Sequence, residues 1–390
     1  MFQDFVINGQ GQGPVGRSVG DPRFDPGLYR PYWDEHGYRC VTVNTGTFRT
    51  DNKTGQTLPV FQKHKLDELA YRGIYSPVAN ATSMRKGDWI ELDRVVLKAA
   101  RQRLRAWADL IASGNSYGGF NAMGKLTLEY ETMSESGEAI VDMSGITPGR
   151  TDAPLHTLKS IPLPITHSDF WFDARRLAVS RNGTPLDTTQ AEQAARRVAE
   201  KIEKVTIGVD SGETYGTQST GYGAHTGTST VYGYTNFPQR LTKTNMTVPT
   251  GSNPEATVAD ILAMRATLRD TAKHYGPYMV YHSADWDVYL DNDYARLGGN
   301  NANMTLRDRL RATEDIVDVR RLDYLTGTFT MIMVQMTSDV VRAINGMDLT
   351  TIQWEEKGGM QLQFKVMCIQ VPQLRSDYNG NSGILHGTTA

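Results

Sequence analysis

Apolar side chains recur every three to four positions between residues 89 and 111, a spacing typical of an amphipathic helix. Asp88 can cap this helix, and Glu91, three residues later, can complete a capping box. The apolar stripe consists of Trp89, Leu92, Val96, Ala100, Leu104, Trp107 and Ile111. The other face is basic, with Arg94, Lys98, Arg101, Arg103 and Arg105. Such a face could contact nucleic acid or an acidic neighbour, but a solvated or inter-subunit face is the commoner explanation.

A second helix is predicted to begin at Thr189, where Glu192 again completes a capping box. Gly208 is placed to end this helix, because glycine readily adopts the left-handed conformation of a helix C-terminus. The residues expected to be buried are Ala191, Ala195, Val198, Ile202 and Val205.

Three more helices are predicted in the second half of the chain. Asn253 as a cap and Pro254 at the first position begin the longest of them, which ends before Gly276 and Pro277. Ser283 and Thr305 are the expected caps of two short helices.

A β-hairpin is predicted where apolar and polar residues alternate in Lys125–Glu131, with Ala139–Val141 as the returning strand. One hairpin buries too little apolar surface to be stable alone, so this one needs another surface to lie on. The segment Leu158–Ile165 is extended because each residue before a proline avoids the helical region. Further strands are predicted at Tyr278–His282, Asp315–Leu322, Phe329–Met336, Asp339–Ile344, Leu349–Trp354 and Gln361–Val371. Helices and antiparallel strands interleaved without a βαβ repeat indicate an α+β fold.

Residues 1–87 contain few periodic segments, because glycines and the stretch Asp21–Gly27 interrupt any helix or strand. The segment nevertheless carries Phe2, Phe5, Phe24, Tyr29, Tyr32, Trp33, Phe48 and Phe61. So many aromatic side chains favour an arm that becomes ordered on another surface over a flexible tail.

The composition excludes several classes of protein. A chain of 390 residues is long enough for two to three domains. Forty-one Lys and Arg against 43 Asp and Glu give a net charge of -2, which argues against sequence-specific DNA binding. No apolar run approaches the 18 residues of a membrane span and no signal peptide is visible, so a soluble, intracellular chain is expected. Cys40 and Cys368 are too few and too far apart for a zinc ribbon or a disulfide framework.

Candidate chemistry is weak throughout the sequence. The Gly-rich stretches Gly9–Gly16 and Gly221–Gly227 match neither the phosphate-loop nor the dinucleotide pattern, and no GxSxG is present. The eight histidines include no pair spaced four apart to hold a metal. The most suggestive pairs, which are better explained as structural or surface residues, are His167 with Asp169, Asp291 with Asp293, and Glu355 with Glu356. We therefore predict no catalytic, cofactor-binding or metal-binding residue, no cofactor and no enzymatic activity.

Five stretches occur in an order that resembles the major capsid proteins of tailed bacteriophages with the HK97-like fold, in the branch nearest to encapsulins. They are MRKGDWIELDRVVLKAARQRLRAWADL (Met84–Leu110), KLTLEYETMSESGEAIVDMSG (Lys125–Gly145), IPLPITHSDFWFDARRL (Ile161–Leu177), PLDTTQAEQAARRVAEKIEK (Pro185–Lys204) and VYGYTNFP (Val231–Pro238). The resemblance spans about Met84 to Leu374.

The resemblance implies a role for each part of the chain. Its α+β parts would be an N-terminal arm (1–87), an N-terminal helix region (88–120), an extended E-loop (121–165), a peripheral domain with a long spine helix (166–250), an axial domain (251–345), return strands of the peripheral domain (346–376) and a C-terminal tail (377–390). Arm and E-loop would contact neighbouring subunits, which fits the hairpin and the aromatic arm that need a second surface.

The resemblance also implies partners and a location. The chain would assemble with itself into pentamers and hexamers of an icosahedral virion shell, formed in the host cytoplasm around double-stranded DNA that is held without sequence-specific binding. A portal protein, and scaffold or decoration proteins from separate chains, would be further partners; no acidic helical scaffolding segment is visible in residues 1–87. Some family members crosslink an E-loop lysine to an asparagine of a neighbour. Lys125 and Lys159 are the available lysines, but no matching asparagine motif is visible, so crosslinking is not expected.

Three alternatives remain at this point. An encapsulin, a cellular nanocompartment with the same fold, would enclose an enzyme cargo instead of DNA. An enzyme of unfamiliar α+β fold would form a small soluble oligomer. An adhesin or tail protein is suggested by the Gly, Thr and Tyr content of Thr214–Tyr234, but the long capped helices fit it poorly.

Overall fold

The computed structural model describes residues 30–34, 36, 38–50, 57–65, 84–101, 104–120, 122–134, 141, 143, 155–176, 188–208, 231–250, 253–292 and 305–389. Within these residues the architecture is mixed α+β, as the sequence predicts. Helices pack on the faces of antiparallel and mixed sheets, and a two-stranded hairpin forms a separate sheet.

The described part of the arm forms β-structure that the sequence pattern does not predict. Strands β1 (Tyr32–Trp33), β2 (Arg39–Thr50), β3 (Thr57–Lys65) and β4 (Met84–Arg85) make one sheet in the order β3-β2-β1-β4. The long antiparallel pair β2–β3 carries most of this sheet. The expectation that the arm lacks regular strands was wrong for the described residues, where cross-strand pairing supplies stabilisation that the sequence pattern does not show.

The helix predicted over residues 88–111 is two helices, α1 (Lys86–Arg101) and α2 (Arg105–Ala112). Leu104 interrupts them with a non-helical backbone, φ -93° and ψ 77°. Asp88 lies inside the first turn of α1 and is not its cap. The predicted burial of Trp89, Leu92 and Val96 is confirmed. Strand β5 (Ser116–Gly118) follows α2.

The hairpin is formed by β6 (Thr127–Met133) and β7 (His156–Pro162), which pair antiparallel from Thr127 opposite Pro162 to Met133 opposite His156. The predicted return at Ala139–Val141 was wrong: Val141 lies in no strand and is fully exposed, and Ala139 and Ile140 lie outside the described residues. The extended segment with two prolines is the actual return. Strand β8 (Thr166–Asp173) continues directly into the main sheet.

The long helix α3 (Thr189–Ile207) is confirmed, with Thr188 as its cap, one residue before the predicted position. Gly208 ends it in the left-handed region at φ 102°. The predicted stripe is buried from Ala191 to Ile202. A short strand, β9 (Leu241–Lys243), follows.

The second half of the chain forms helices α4 (Pro254–Ala266), α5 (Asp287–Asp291) and α6 (Leu306–Arg311), with strands β10 (Tyr278–His282), β11 (Ile316–Arg321) and β12 (Met331–Gln335). The caps at Asn253 and Thr305 are confirmed; the Thr305 side chain accepts a hydrogen bond from the Asp308 amide. Strands predicted separately at Asp339–Ile344 and Leu349–Trp354 are one strand, β13 (Val341–Glu356), paired with β14 (Gln361–Leu374). Residues 384–387, expected in a tail, form β15 (Ile384–Gly387).

Two hydrophobic cores result from these elements. The first lies between the sheet β5-β13-β14-β8 and helices α1, α2 and α3, and contains Trp107, Val198 and Phe364. The second lies between the sheet β11-β10-β12-β15-β9 and helices α4, α5 and α6, and contains Ile261 and Trp286. Strand β15 sits inside the second sheet, so the end of the chain ties the two halves together.

Candidate assembly surfaces

The hairpin β6–β7 has one face against the body and one face in solvent. On the inner face, Leu128 and Ile161 are opposite each other and pack on a small buried cluster that includes Ala122, Leu163 and Ile369. This contact fixes the base of the hairpin. The distal end has no such support from the described residues.

Three apolar side chains at that distal end are exposed, and the register places Met133 and Leu158 on the same face of the hairpin. Met133, Leu155 and Leu158 are 61%, 61% and 60% exposed. Glu131 and His156 lie beside them, with 3.5 Å between the carboxylate Oε2 and the imidazole Nδ1. Exposed apolar patches on a projecting element mark contact sites, because their burial against another surface is favourable. We call Met133, Leu155 and Leu158 the hairpin patch.

A cavity of about 300 Å³ lies where the hairpin meets the body. Tyr130 and Lys159 line it from the hairpin, and Tyr232, Phe237 and Leu374 line it from the body. The Arg375 guanidinium lies 5.4 Å from the centre of the Tyr130 ring. Burial raises the pKa of Tyr130, so its hydroxyl stays neutral. The cavity is mostly a seam between hairpin and body, with aromatic walls and no convergent set of reactive groups.

The arm carries a second exposed surface. The Phe61 side chain on β3 is mostly exposed, and the Tyr38 ring carries the Lys65 ammonium 3.7 Å from its centre. At its other end the arm is anchored to α1: the Trp89 indole donates to the Pro31 carbonyl at 3.1 Å, and Arg30 pairs with Asp93 at 2.5 Å. The arm is thus held at its root while its long strands project.

The arm root also contains a polar cluster. Asp34 accepts from Lys63 at 2.9 Å and from the backbone amides of Tyr38 and His36, and these bonds lower the pKa of Asp34 to about 2. The Asp34 carboxylate is therefore ionised at neutral pH. The cluster stabilises the turn between β1 and β2.

A second polar cluster joins helices α2 and α3 to strands β10 and β11. Glu203 of α3 accepts from the first amides of α2, and Asp109 of α2 accepts from the Tyr281 hydroxyl at 2.9 Å and pairs with Arg320 of β11. Glu203 and Asp109 are 3% and 4% exposed. Sequence reasoning missed this cluster because its members are far apart in the chain. Tyr281 lies 172 residues from Asp109, and Arg320 lies 211 residues from it.

The residue pairs singled out from the sequence are not assembled into a reactive site. His167 and Asp169 are exposed on β8, with 3.3 Å between Nδ1 and Oδ1. Asp291 pairs with Arg307 at 2.7 Å, and Asp293 lies outside the described residues. The Glu356 carboxylate accepts from the Trp354 indole at 2.9 Å.

The two cysteines, Lys125 and Lys159 are likewise not assembled into a reactive site, and the Cys40 thiol donates to the Asp34 carboxylate at 3.8 Å. Cys40 and Cys368 are buried free thiols, and burial raises the pKa of Cys368 to about 12. Lys125 lies 5.6 Å from the centre of the Phe120 ring, and Lys159 lines the seam cavity. The Gly-rich stretches at 9–16 and 221–227 lie outside the described residues.

Two absences among the described residues concern other classes of function. They contain no group of three or more His, Cys, Asp or Glu side chains arranged to hold a metal ion. None of their helices combines the length and the apolar character needed to cross a bilayer.

The fold matches solved structures of shell proteins. The virus-like particle protein from Pyrococcus furiosus matches with a TM-score of 0.50 at 12% identity, over 76% of this chain and 98% of that protein. The capsid protein of Myoviridae phage XM1 gives a TM-score of 0.48 at 12% identity, over 68% and 86% of the two chains. The capsid of the native GTA particle gives 0.49 at 10% identity, over 74% and 91%.

At these identities the likeness establishes the fold alone, and that fold is the HK97-like capsid fold expected from the sequence. No curated protein matches the chain in sequence. A sequence profile of the family of unknown function DUF6260 matches residues 79–387, most of the chain, so this protein belongs to that family.

Proposed function

We propose that the chain is a major capsid protein, without enzymatic activity, that assembles into the icosahedral shell of a tailed bacteriophage around double-stranded DNA. The observation that carries the proposal is the hairpin patch: three apolar side chains, each about 60% exposed, at the end of an element that projects from the body. In a symmetric shell, the patch of each subunit would be buried by a neighbouring subunit. The HK97-like fold supports that partner.

Each part of the chain then has a role. The hairpin within residues 121–165 is the E-loop, and α3 is the spine helix of a peripheral domain built on β8, β13 and β14. Strands β10, β11 and β12 and helices α4 to α6 belong to the axial domain of residues 251–345, which would meet its copies at five-fold and six-fold vertices. The arm of residues 1–87 would lie on a neighbour. Portal, scaffold and decoration proteins would be separate chains.

Closed symmetry makes many weak contacts sufficient for this function. One subunit donates its hairpin and arm and receives those of its neighbours, so every interface is repeated around the shell. Each contact adds to an assembly whose other contacts already hold the subunits in place. A modest patch such as Met133, Leu155 and Leu158 therefore has a large effect on particle yield.

The test is to express the full chain alone and to compare Leu158→Ser with Thr157→Ser. Loss of the Leu158 side chain removes about 2 kcal/mol of apolar burial from each contact. We expect at least tenfold fewer shells, tubes or capsomers by size exclusion and negative-stain microscopy. Thr157 is exposed on the same strand, and its backbone carbonyl accepts from Thr132, a bond that the Ser variant keeps.

Three results would contradict the proposal. The first is a wild-type chain that forms only small soluble oligomers in every buffer, which would favour the enzyme alternative. The second is full assembly of Leu158→Ser. The third is an equal loss of particles in both variants.

An encapsulin-type shell around an enzyme cargo is the second candidate function. The observation that favours it is the match to the Pyrococcus furiosus virus-like particle, which covers 98% of that protein. Particles isolated from the native source separate the two functions: packaged double-stranded DNA supports the phage capsid, and a stoichiometric cargo protein identified by mass spectrometry supports the encapsulin.

A further inference from the structure

A buried polar cluster sits where helices α2 and α3 meet the five-stranded sheet. Asp109 of α2 accepts from the Tyr281 hydroxyl of β10 and pairs with Arg320 of β11. The Tyr281 ring stacks on Tyr234, with 6.1 Å between ring centres and 13° between planes. Glu203 of α3 completes the set. We call these five residues the joint cluster, because their contacts join α2 and α3 to strands β10 and β11.

Glu203 occupies the N-terminus of α2. Its Oε1 accepts from the Ala106 amide at 2.7 Å and its Oε2 from the Trp107 amide at 3.4 Å. Burial, and to a smaller extent the Asp109 carboxylate, raise the pKa of Glu203 to about 7 against the lowering effect of these amides. The side chain therefore changes charge near neutral pH while it remains inside the protein.

The cationic side chains around the joint cluster compensate only in part for the negative charges of Glu203 and Asp109. Burial raises the pKa of Asp109, and the single guanidinium beside it, Arg320, is shared with Asp318 at 2.7 Å. The Arg105 guanidinium also acts on Asp109, but it donates to the Arg321 carbonyl at 3.3 Å.

The two tyrosines add no charge. Burial raises the pKa of Tyr281 and Tyr234 well above the ordinary value, so both stay neutral. The Tyr234 hydroxyl has no partner among the described residues. At high pH the cluster thus holds two carboxylates against the start of α2 and one shared guanidinium.

We propose that the joint cluster is a pH-responsive joint, held most firmly when Glu203 carries a proton and loosened when Glu203 ionises. Loosening means separation of α2 from α3, which lets water reach the carboxylate. The inference concerns the single subunit and goes beyond the proposed shell function.

The sign of the effect follows from proton linkage. The pKa of Glu203 lies near 4.5 when water surrounds the side chain and at about 7 in the closed joint. Between these values the closed joint binds the extra proton, so a rise in pH through this window favours the open joint. Below the window Glu203 is protonated in both forms, and above it the side chain is ionised in both, so the profile levels off.

Amide hydrogen exchange of the full chain, read by mass spectrometry at pH 5, 6, 7 and 8 and corrected for the intrinsic pH dependence of exchange, tests this. We expect protection of peptides covering Ala108–Ala112 to fall about 10- to 100-fold from pH 5 to pH 8. Peptides from α4, in the second core, are the internal control. Glu203→Gln should flatten the profile of α2. Glu192→Gln, an exposed carboxylate on the same helix, should behave as the wild type.

A measurement on the wild-type chain covers the case in which Glu203→Gln fails to fold. Carbon-13 labelling of glutamate carboxyl groups should show a resonance that titrates near neutral pH. The inference is overturned if no glutamate titrates above pH 6, if α2 protection is flat in the wild type, or if α2 and α4 lose protection together. A Glu203→Gln variant that folds and keeps the wild-type slope would also overturn it.

Discussion

Gln353 on β13 is fully buried, and neither atom of its side-chain amide has a hydrogen-bond partner among the described residues. The same holds for the hydroxyl of Thr351, two residues earlier on the same face. Their partners across the strand pair are Phe364 and Val366, which belong to the first core. A buried amide without partners has lost its bonds to water and gained none in return.

Gln353→Met should therefore stabilise the subunit. Removal of an unsatisfied buried amide is worth about 1–3 kcal/mol in the free energy of unfolding. Gln363→Met on the neighbouring strand is the matched control, because that amide donates to Glu356 at 3.2 Å and is half-buried. Urea unfolding of both variants measures the difference; a Gln353→Met chain less stable than the wild type would contradict the interpretation.

The two thiols make a second prediction at the residue scale. Cys40 and Cys368 are both fully buried, and burial raises the pKa of each, so little thiolate is present and none is accessible. A thiol reagent at pH 8 should label neither cysteine in the native chain and both after unfolding in denaturant. If either cysteine of the native chain is labelled as fast as an exposed thiol, the element that carries it opens readily.

At the scale of elements, the motif VYGYTNFP contains a glycine required by close approach. A Cβ on Gly233 would lie 2.3 Å from the Gly208 nitrogen and 2.4 Å from the Val205 carbonyl oxygen, both backbone atoms at the end of α3. The segment is also tied to α3 by the Tyr234 amide, which donates to the Thr206 carbonyl at 3.0 Å. Backbone cannot move aside as the end of a flexible side chain can.

Gly233→Ala should accordingly cost about 3 kcal/mol or more of unfolding free energy, as an overpacked site does. Gly358→Ala is the control: it has a positive φ of 67° but nothing within 4 Å, so only backbone strain of about 1 kcal/mol is expected. Chemical unfolding of the two variants gives the comparison. Equal losses would mean that the end of α3 yields to the added methyl group.

Elements with local signals could be predicted from the sequence. The stripe from Ala191 to Ile202 and the stop at Gly208 define α3 by periodicity and one glycine, and no distant contact is needed. The same is true of the cap at Thr305. The overall α+β class follows because most elements carry such signals.

Elements decided by distant contacts could not be predicted. The apolar stripe does not reveal the break at Leu104. The Glu203 carboxylate accepts from the amides that begin α2, and it lies 97 residues from Ala106 in the chain. Strand β7 competes with Ala139–Val141 for the same partner, and tertiary packing of Ile161 on the body decides the pairing. The joint cluster has no sequence signal at all, since its residues come from four separate elements and one loop.

At the scale of the whole molecule, the subunit consists of two cores with two appendages. The two hairpin strands pair only with each other, and the described arm strands pair only within the arm sheet. Each therefore leaves apolar side chains, such as Leu158 and Phe61, for a second surface. Burial of these exposed side chains on a neighbouring subunit would supply free energy for the proposed assembly.

The balance of charge over the whole molecule leads to the last prediction. A net charge of -2 in 390 residues provides no excess of cations to displace counterions from phosphates. A shell that confines DNA without gripping it should bind free duplex weakly, with a Kd above about 100 μM at 150 mM salt and a shallow salt dependence. Filter binding or fluorescence anisotropy with the unassembled chain measures both quantities. Micromolar affinity that falls steeply with salt would instead reveal a concentrated basic surface, and retention of the DNA would then depend on contact as well as on enclosure.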